Sequence, residues 1–146
     1  MRYSVYSFFN KKYLHLLSTR PLFIDGAEEF LKKLKEHGKV YIVTNGTEWI
    51  QKSRFKILGI ERYIDGVFVS DTIGVDKPDP NYTKYVLEHI DGFEKNCAVW
   101  IGDSLSADIK AANDANIDSI WYNPSGKFLK GGEIHPTKEG KDFKEI

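Results

Sequence analysis

The chain has 146 residues, 41% of them hydrophobic and 29% charged, which suits one globular domain able to bury a core and excludes two full domains. Its 21 basic and 21 acidic residues cancel, so the electrostatic footprint of a nucleic-acid binder is missing and Lys32-Lys33 reads as a solvated helix face. The single cysteine, Cys97, rules out an internal disulfide and favours a reducing, cytoplasmic setting. The first twenty residues hold no continuous apolar block, so neither a signal peptide nor a membrane span is expected.

In chain order, residues 1 to 20 are the ambiguous stretch. Tyr6, Phe9, Tyr13, Leu16 and Leu17 recur at helical spacing, whereas Tyr3 to Phe8 has the β-branched and aromatic content of a strand. A helix over 8–19 is the preferred reading. Next, Ala27, Phe30, Leu31 and Leu34 share one helical face, ended by His37-Gly38. Val40-Tyr41-Ile42-Val43 predicts a strand apolar on both faces, followed by a helix from about Glu48 to Leu58 stopped by Gly59. Gly66 to Ser70 reads as a second strand. Pro78 and Pro80 suit the first turn of a helix over Pro80–His89 with Asp79 as N-cap. A third strand over Ala98–Ile101 has Cys97 beside it as an expected small buried side chain. A helix over Ser104–Ala115 and a fourth strand over Ile117–Tyr122 follow, and Gly126 to His135 reads as a polar loop before a short tail. Strands alternating with helices from residue 26 onward give an α/β fold, a parallel sheet covered by helices.

In such a sheet ligands sit outside the carboxyl ends of the strands, where Thr44-Asn45-Gly46 and Gly102-Asp103-Ser104 fall. Thr44 can donate its hydroxyl to a phosphoryl oxygen, with the Asn45 and Gly46 amides opening toward the same place. A helix cap is the competing account of this triplet. Lys77, in a proline-rich loop, can neutralise phosphoryl charge, against the plain alternative of a surface lysine. Neighbouring Asp76 and Asp79 can equally form turn hydrogen bonds. Asp103 is a hard oxygen ligand suited to magnesium, and Asp108 can hold a metal-bound water or orient Lys77. Both also make sense as a cap and a favourable first-turn charge.

Taken together, Thr44, Lys77 and Asp103 occur in order at strand or loop ends, separated by enough chain for one βα unit each. Here the sequence resembles the haloacid dehalogenase superfamily of phosphohydrolases. Ile42-Val43-Thr44-Asn45-Gly46 is similar to its second motif, Lys77-Pro78-Asp79-Pro80 to its third, and Gly102-Asp103-Ser104-Leu105-Ser106-Ala107-Asp108 to its fourth. The likeness runs from Leu22 to Pro124. Phe23-Ile24-Asp25-Gly26-Ala27 and Trp121-Tyr122-Asn123-Pro124 further resemble the branch with a helical cap, including its nucleotidase-like members. The resemblance implies a three-layer Rossmann-like core over 21–146 and a remnant of the helical cap over 1–20. It also implies a magnesium-dependent phosphatase acting on small phosphomonoesters, such as nucleotides. Thr44, Lys77 and Asp103 would be catalytic, with Thr44, Asn45, Gly46 and Lys77 binding phosphate, Asp103 ligating metal and Asp108 standing behind it.

The family's first motif, a strand ending in Asp-x-Asp-x-Thr, supplies its nucleophile and general acid. Nothing in these 146 residues matches it. Asp25 is a poor substitute, because Ala27 stands where the second acid belongs and the stretch already matches the return from the cap. The expectation is a core without its central strand, weak or no magnesium binding, and no turnover by this chain alone. An empty slot inside a sheet would leave backbone groups unmet at about 1–3 kcal/mol each. It is therefore expected to be filled by another polypeptide or a second copy, by residues 2 to 8 as a strand, or by collapse of the sheet, in that order. Two other functions compete: a non-catalytic binding or interaction protein derived from such an enzyme, and an unrelated doubly wound domain such as a phosphate-sensing receiver. The receiver needs its acids before the threonine and lysine, which this order contradicts.

Overall fold

The structure is a computed structural model that describes residues 5–128 and 132–146, with side chains from Lys12 onward. The chain divides into two compact units, residues 1–72 and 73–146, each built on its own parallel sheet.

The first unit opens with α1 (Val5–Thr19), so the helical reading of 8–19 holds and residues 5–8 are not a strand. Residues 2–4 of that alternative lie outside the described residues. Thr19 and Ser18 tie their hydroxyls back to the His15 carbonyl, and Arg20 lies beyond the last helical turn. The helix α2 (Ala27–His37) turns its predicted face, Ala27, Phe30, Leu31 and Leu34, into half-buried positions while its lysines stay exposed. β1 (Tyr41–Thr44) pairs in parallel with β2 (Gly66–Val69), Tyr41 opposite Gly66 and Thr44 opposite Val69. Expected to be apolar and covered on both faces, β1 is half-buried along its length, with β2 as its one partner strand among the described residues.

Between these strands lies α3 (Glu48–Leu58), against which α1 packs, with the Ser53 hydroxyl donating to the Ser18 carbonyl. Gly59 ends α3 in the left-handed region at φ 61°, its N–H reaching the Phe55 and Lys56 carbonyls, and a 3₁₀ turn over Ile60–Tyr63 follows. The Asp65 carboxylate accepts from both the Lys35 ammonium and the Val40 amide. These two donors, the ammonium first, hold its carboxyl below the usual aspartate value. A short helix α4 (Ser70–Ile73) leaves the end of β2, an element with no signal in the sequence pattern. Val40, Ile50, Ile60 and Val69 form the buried apolar set of this unit.

The second unit carries α5 (Pro80–Glu88), with Asp79 as its N-cap accepting from the Asn81 amide as expected. The Lys77–Pro78 peptide is cis. β3 (Val99–Gly102) pairs in parallel with β4 (Asp118–Tyr122), which pairs in parallel with β5 (Lys138–Gly140). β5 falls in the stretch read as a tail, where Lys-Glu-Gly has no strand propensity; it is held by the ladder to β4 and by the Asn123 amide bonding to the Gly140 carbonyl. Buried Asn123 completes this corner by donating to Glu139 and to the Lys127 carbonyl while accepting from the Lys127 amide. Part of the predicted polar loop, residues 129–131, lies outside the described residues.

The helix expected over 104–115 is broken into two parts, a π-helical turn over Leu105–Ile109 and then α6 (Lys110–Asp114). The Ser104 carbonyl accepts from both the Asp108 and Ile109 amides, which widens the turn. Tyr82, Val86, Trp100, Ile109, Ala111, Ala112, Ile117 and Trp121 form the core. Cys97, expected to be buried, is exposed because it belongs to a 3₁₀ turn over Lys95–Cys97 that precedes β3.

β1 and β3 belong to separate sheets, so the two do not collapse into one four-stranded sheet. Among the described residues no helix is long and apolar enough to cross a membrane.

Two measurements check this account. Gly59→Ala is expected to lower stability by about 1–2 kcal/mol, since alanine must enter the left-handed region. Gly38→Ala, at an extended φ of 178° with open space around it, should be near neutral in the same denaturant titration. The second concerns Asp65, whose lowered folded pKa makes its contribution fully present above its unfolded value and lost as pH falls through the folded one. The stability gap between the parent and Asp65→Asn should therefore be largest near neutral pH and shrink as the pH falls through and below the ordinary aspartate range.

Candidate functional site

At the end of β3 the backbone runs Gly102-Asp103-Ser104 and then enters the π-helical turn. Ser104 is the N-cap, its hydroxyl accepting from the Ala107 amide at 3.2 Å. Asp103 is left outside the capping arrangement, with an exposed side chain and a backbone carbonyl that accepts from the Trp121 indole N–H at 3.1 Å. Trp121 is itself 1% exposed, so this contact anchors the strand-end turn to the core.

The wide turn brings Asp108 back over β3. One of its carboxylate oxygens accepts from the Ser104 amide at 3.0 Å, and the other meets the Lys77 ammonium at 2.6 Å. Both side chains are nearly sealed from solvent, 7% exposed for Lys77 and 10% for Asp108. Gly102 makes the approach possible, since a Cβ there would fall inside the Asp108 side chain. Lys77 is therefore no surface lysine, and Asp108 is more than a favourable charge in a first turn. The structure brings Lys77, Asp103, Ser104 and Asp108 to one strand end within the second unit.

Thr44, Asn45 and Gly46 lie in the first unit at the end of β1. The N-cap of α3 is Thr47, three residues beyond Thr44, and its side chain makes no capping bond. The Asp71 carboxylate from α4 accepts from the Glu48 amide instead, so the helix-cap account of Thr44 fails. The Gly46 amide, expected to open toward a ligand, donates to the Ser70 hydroxyl at 3.1 Å. The Thr44 hydroxyl accepts from the Gln51 side-chain amide at 2.8 Å. Gln51, Ser70 and Asp71 were not singled out by the sequence, because Gln51 reads as an ordinary polar residue of a helix and Ser70 and Asp71 as the polar end of a strand and the loop after it. The one available signal was position: Gln51 lies on the first turn of α3, facing back to its start.

Among the aromatic residues, Tyr82 and Trp121 are core residues, whereas Trp49 and Tyr85 are exposed. Asp25 is exposed in a turn and ends no strand.

Magnesium favours one or two carboxylates together with waters and phosphate. Among the described residues no three His, Cys, Asp or Glu side chains group as a metal site. Asp108 is committed to Lys77 and Ser104, which leaves Asp103 as a single exposed carboxylate. These residues by themselves do not make a magnesium site.

Residues 3–122 match the haloacid dehalogenase-like hydrolase family. The chain belongs to that family. It is 37% identical over 136 residues to the HAD-hydrolase YfnB of Bacillus subtilis, covering 93% of this chain and 57% of that one. It is 38% identical over 141 residues to the pyrimidine 5'-nucleotidase PynA of Streptococcus pneumoniae, covering 96% of this chain and 59% of the relative. A crystal structure of YfnB bound to magnesium superposes with a TM-score of 0.90 at 36% identity, over 95% of this chain and 60% of that one. The fold is thus the α/β, Rossmann-like core of this family, and the chain spans somewhat under two thirds of the length of these relatives. PynA and the Escherichia coli relative YjjG are pyrimidine 5'-nucleotidases, and a further relative is a ribulose-1,5-bisphosphate 5-phosphatase.

The buried pair gives a direct test. Asp108→Ala should destabilise by about 3–5 kcal/mol, because it strands a buried ammonium without its carboxylate. Lys77→Met combined with Asp108→Asn should cost clearly less in the same unfolding experiment, since asparagine keeps an acceptor for the Ser104 amide and no charge is left behind.

Proposed function

We propose that this chain carries the phosphate-handling part of a phosphatase for small phosphomonoesters, with nucleotides the favoured class, and that a polypeptide of these 146 residues alone does not turn over. The observation that carries the reading is the Lys77–Asp108 pair, buried at the strand end from which Asp103 projects. Thr44 donates its hydroxyl to a phosphoryl oxygen, with Asn45 and Gly46 forming the loop around it. Lys77 neutralises charge on the phosphoryl group, and Asp108 fixes where that ammonium stands. In a completed core, Asp103 would offer one carboxylate oxygen to magnesium, with the remaining ligands supplied from outside these residues. The sequence contains no apolar strand ending in Asp-x-Asp, so no residue of it can attack phosphorus and form an aspartyl-phosphate.

The nucleotide assignment is supported by the similarity to PynA and to the Escherichia coli pyrimidine 5'-nucleotidase YjjG. Residues 1–20 are read as the end of a helical cap and 21–146 as the core. A second polypeptide segment, or a second copy of the chain, is read as supplying the central strand that the sequence lacks. The single cysteine supports a reducing, cytoplasmic setting.

The experiment is a phosphate-release assay with magnesium over a panel of phosphomonoesters that includes pyrimidine nucleoside monophosphates. The chain alone should match the blank. Fusion to the part of the S. pneumoniae relative that it does not match should give turnover, and Asp103→Asn or Lys77→Met in the fusion should lower kcat by about 100-fold or more. Turnover by the 146-residue chain that disappears in Asp103→Asn would overturn the proposal.

A further inference from the structure

We infer that Gln51 is a positioning residue that sets the polarity of the Thr44 hydroxyl, leaving its proton free to bind a phosphoryl oxygen. This rests on the reading of Thr44 as a phosphate contact and adds the group that makes it a donor.

A hydroxyl has one proton and two lone pairs, so what its fixed neighbour offers decides which way it faces. The Gln51 Nε2 donates to Thr44 Oγ1 at 2.8 Å and so occupies a lone pair. The Thr44 proton must then point away from Gln51. Its acceptor within the loop is the Asn45 carbonyl at 3.4 Å, well beyond the usual O–H···O range of about 2.5–3.0 Å. A ligand oxygen placed beyond the strand end would be the better acceptor.

The amide is held for this task from two sides. The Gln51 backbone N–H bonds to the Thr47 carbonyl at 3.1 Å, which fixes the residue on the first turn of α3. Gly46 leaves room for the side chain, because a Cβ there would stand 3.2 Å from Gln51 Nε2 and 3.7 Å from its Cγ. The Gly46 amide is itself taken by Ser70. With that N–H committed, the loop relies on the Thr44 hydroxyl as a side-chain donor, and its direction matters more. Were the Gln51 amide turned over, its carbonyl would capture the Thr44 proton and the loop would lose that donor.

The test uses the 146-residue chain and inorganic phosphate, followed by the amide proton–nitrogen NMR signals of Thr44, Asn45 and Gly46. Gln51→Glu is nearly isosteric but only accepts at neutral pH, so it should reverse the hydroxyl and weaken phosphate binding by about tenfold or more. Its deficit relative to the parent should narrow near pH 4, where the introduced carboxyl gains a proton and can donate. Gln51→Met should weaken binding by a few-fold without changing the melting temperature, and it decides the matter if Gln51→Glu does not fold. Unchanged affinity in both Gln51 variants alongside weakened binding in Thr44→Val overturns the role of Gln51 and leaves Thr44 as a phosphate contact. Parent-like binding by Thr44→Val, or no response of these amides in the parent, overturns the phosphate reading of Thr44 and this inference with it.

Discussion

The second unit is organised around one buried contact, the ion pair between Lys77 and Asp108. Burying two opposite charges is costly, and a replacement by apolar residues is often at least as stable, so the pair is not explained by stability alone. Its effect is geometric. Lys77 comes from the loop before α5, Asp108 from the turn after β3, and the pair joins the two at a 2.6 Å contact. Three local features permit it: Gly102 has no Cβ to fill the space, the π-helical turn swings Asp108 inward, and the Ser104 amide takes the second carboxylate oxygen. With both charges committed, Asp103 is left as the exposed carboxylate at that strand end.

The two units differ in how completely they bury their apolar residues. The second has Tyr82, Ile109, Val86 and Trp121 almost fully enclosed. In the first, β1 is only half-buried, α2 has no buried residue, and Tyr13, Leu16, Leu17, Leu22, Ile24, Trp49 and Ile57 are exposed. These are apolar side chains that the first unit does not itself cover. The separate sheets agree with this, because strands apolar enough for the middle of a sheet are edges here. β1 and β3 do not pair with each other, and residues 5–8 are helical, so neither of these two expected ways of filling the sheet is seen among the described residues.

Much of this was legible in the sequence because the signals were local. Gly59 stops α3, Asp79 caps α5, and the apolar runs at 41–44, 66–69, 99–102 and 118–122 are the strands. The order Thr44, Lys77, Asp103 identified the family because each residue sits at a strand or loop end. What escaped depended on contacts distant in sequence. β5 is held by its ladder and by Asn123 rather than by propensity, and the capping of α3 by Asp71 crosses 23 residues. The break at 105–109 needs the doubly accepting Ser104 carbonyl, which a helical pattern hides. Cys97 was misplaced by extending the apolar character of β3 one turn too far. The role of Gly46 changed most, since the amide expected to face a ligand faces Ser70.

That last change alters how the loop at the end of β1 is to be read. A glycine-containing loop before a helix invites the reading of a backbone-amide cradle, in which N–H groups and the helix N-terminus do the binding. Here the Gly46 and Glu48 amides are answered by Ser70 and Asp71 within the fold. The hydroxyl of Thr44 is oriented by the Gln51 amide, just as in the other unit the Lys77 ammonium is set in place by its carboxylate partner. Each of these donors is fixed by a neighbour that itself makes no claim on a ligand, Gln51 for one and Asp108 for the other. A donor held in direction before a ligand arrives loses less freedom on binding than one that must first be ordered.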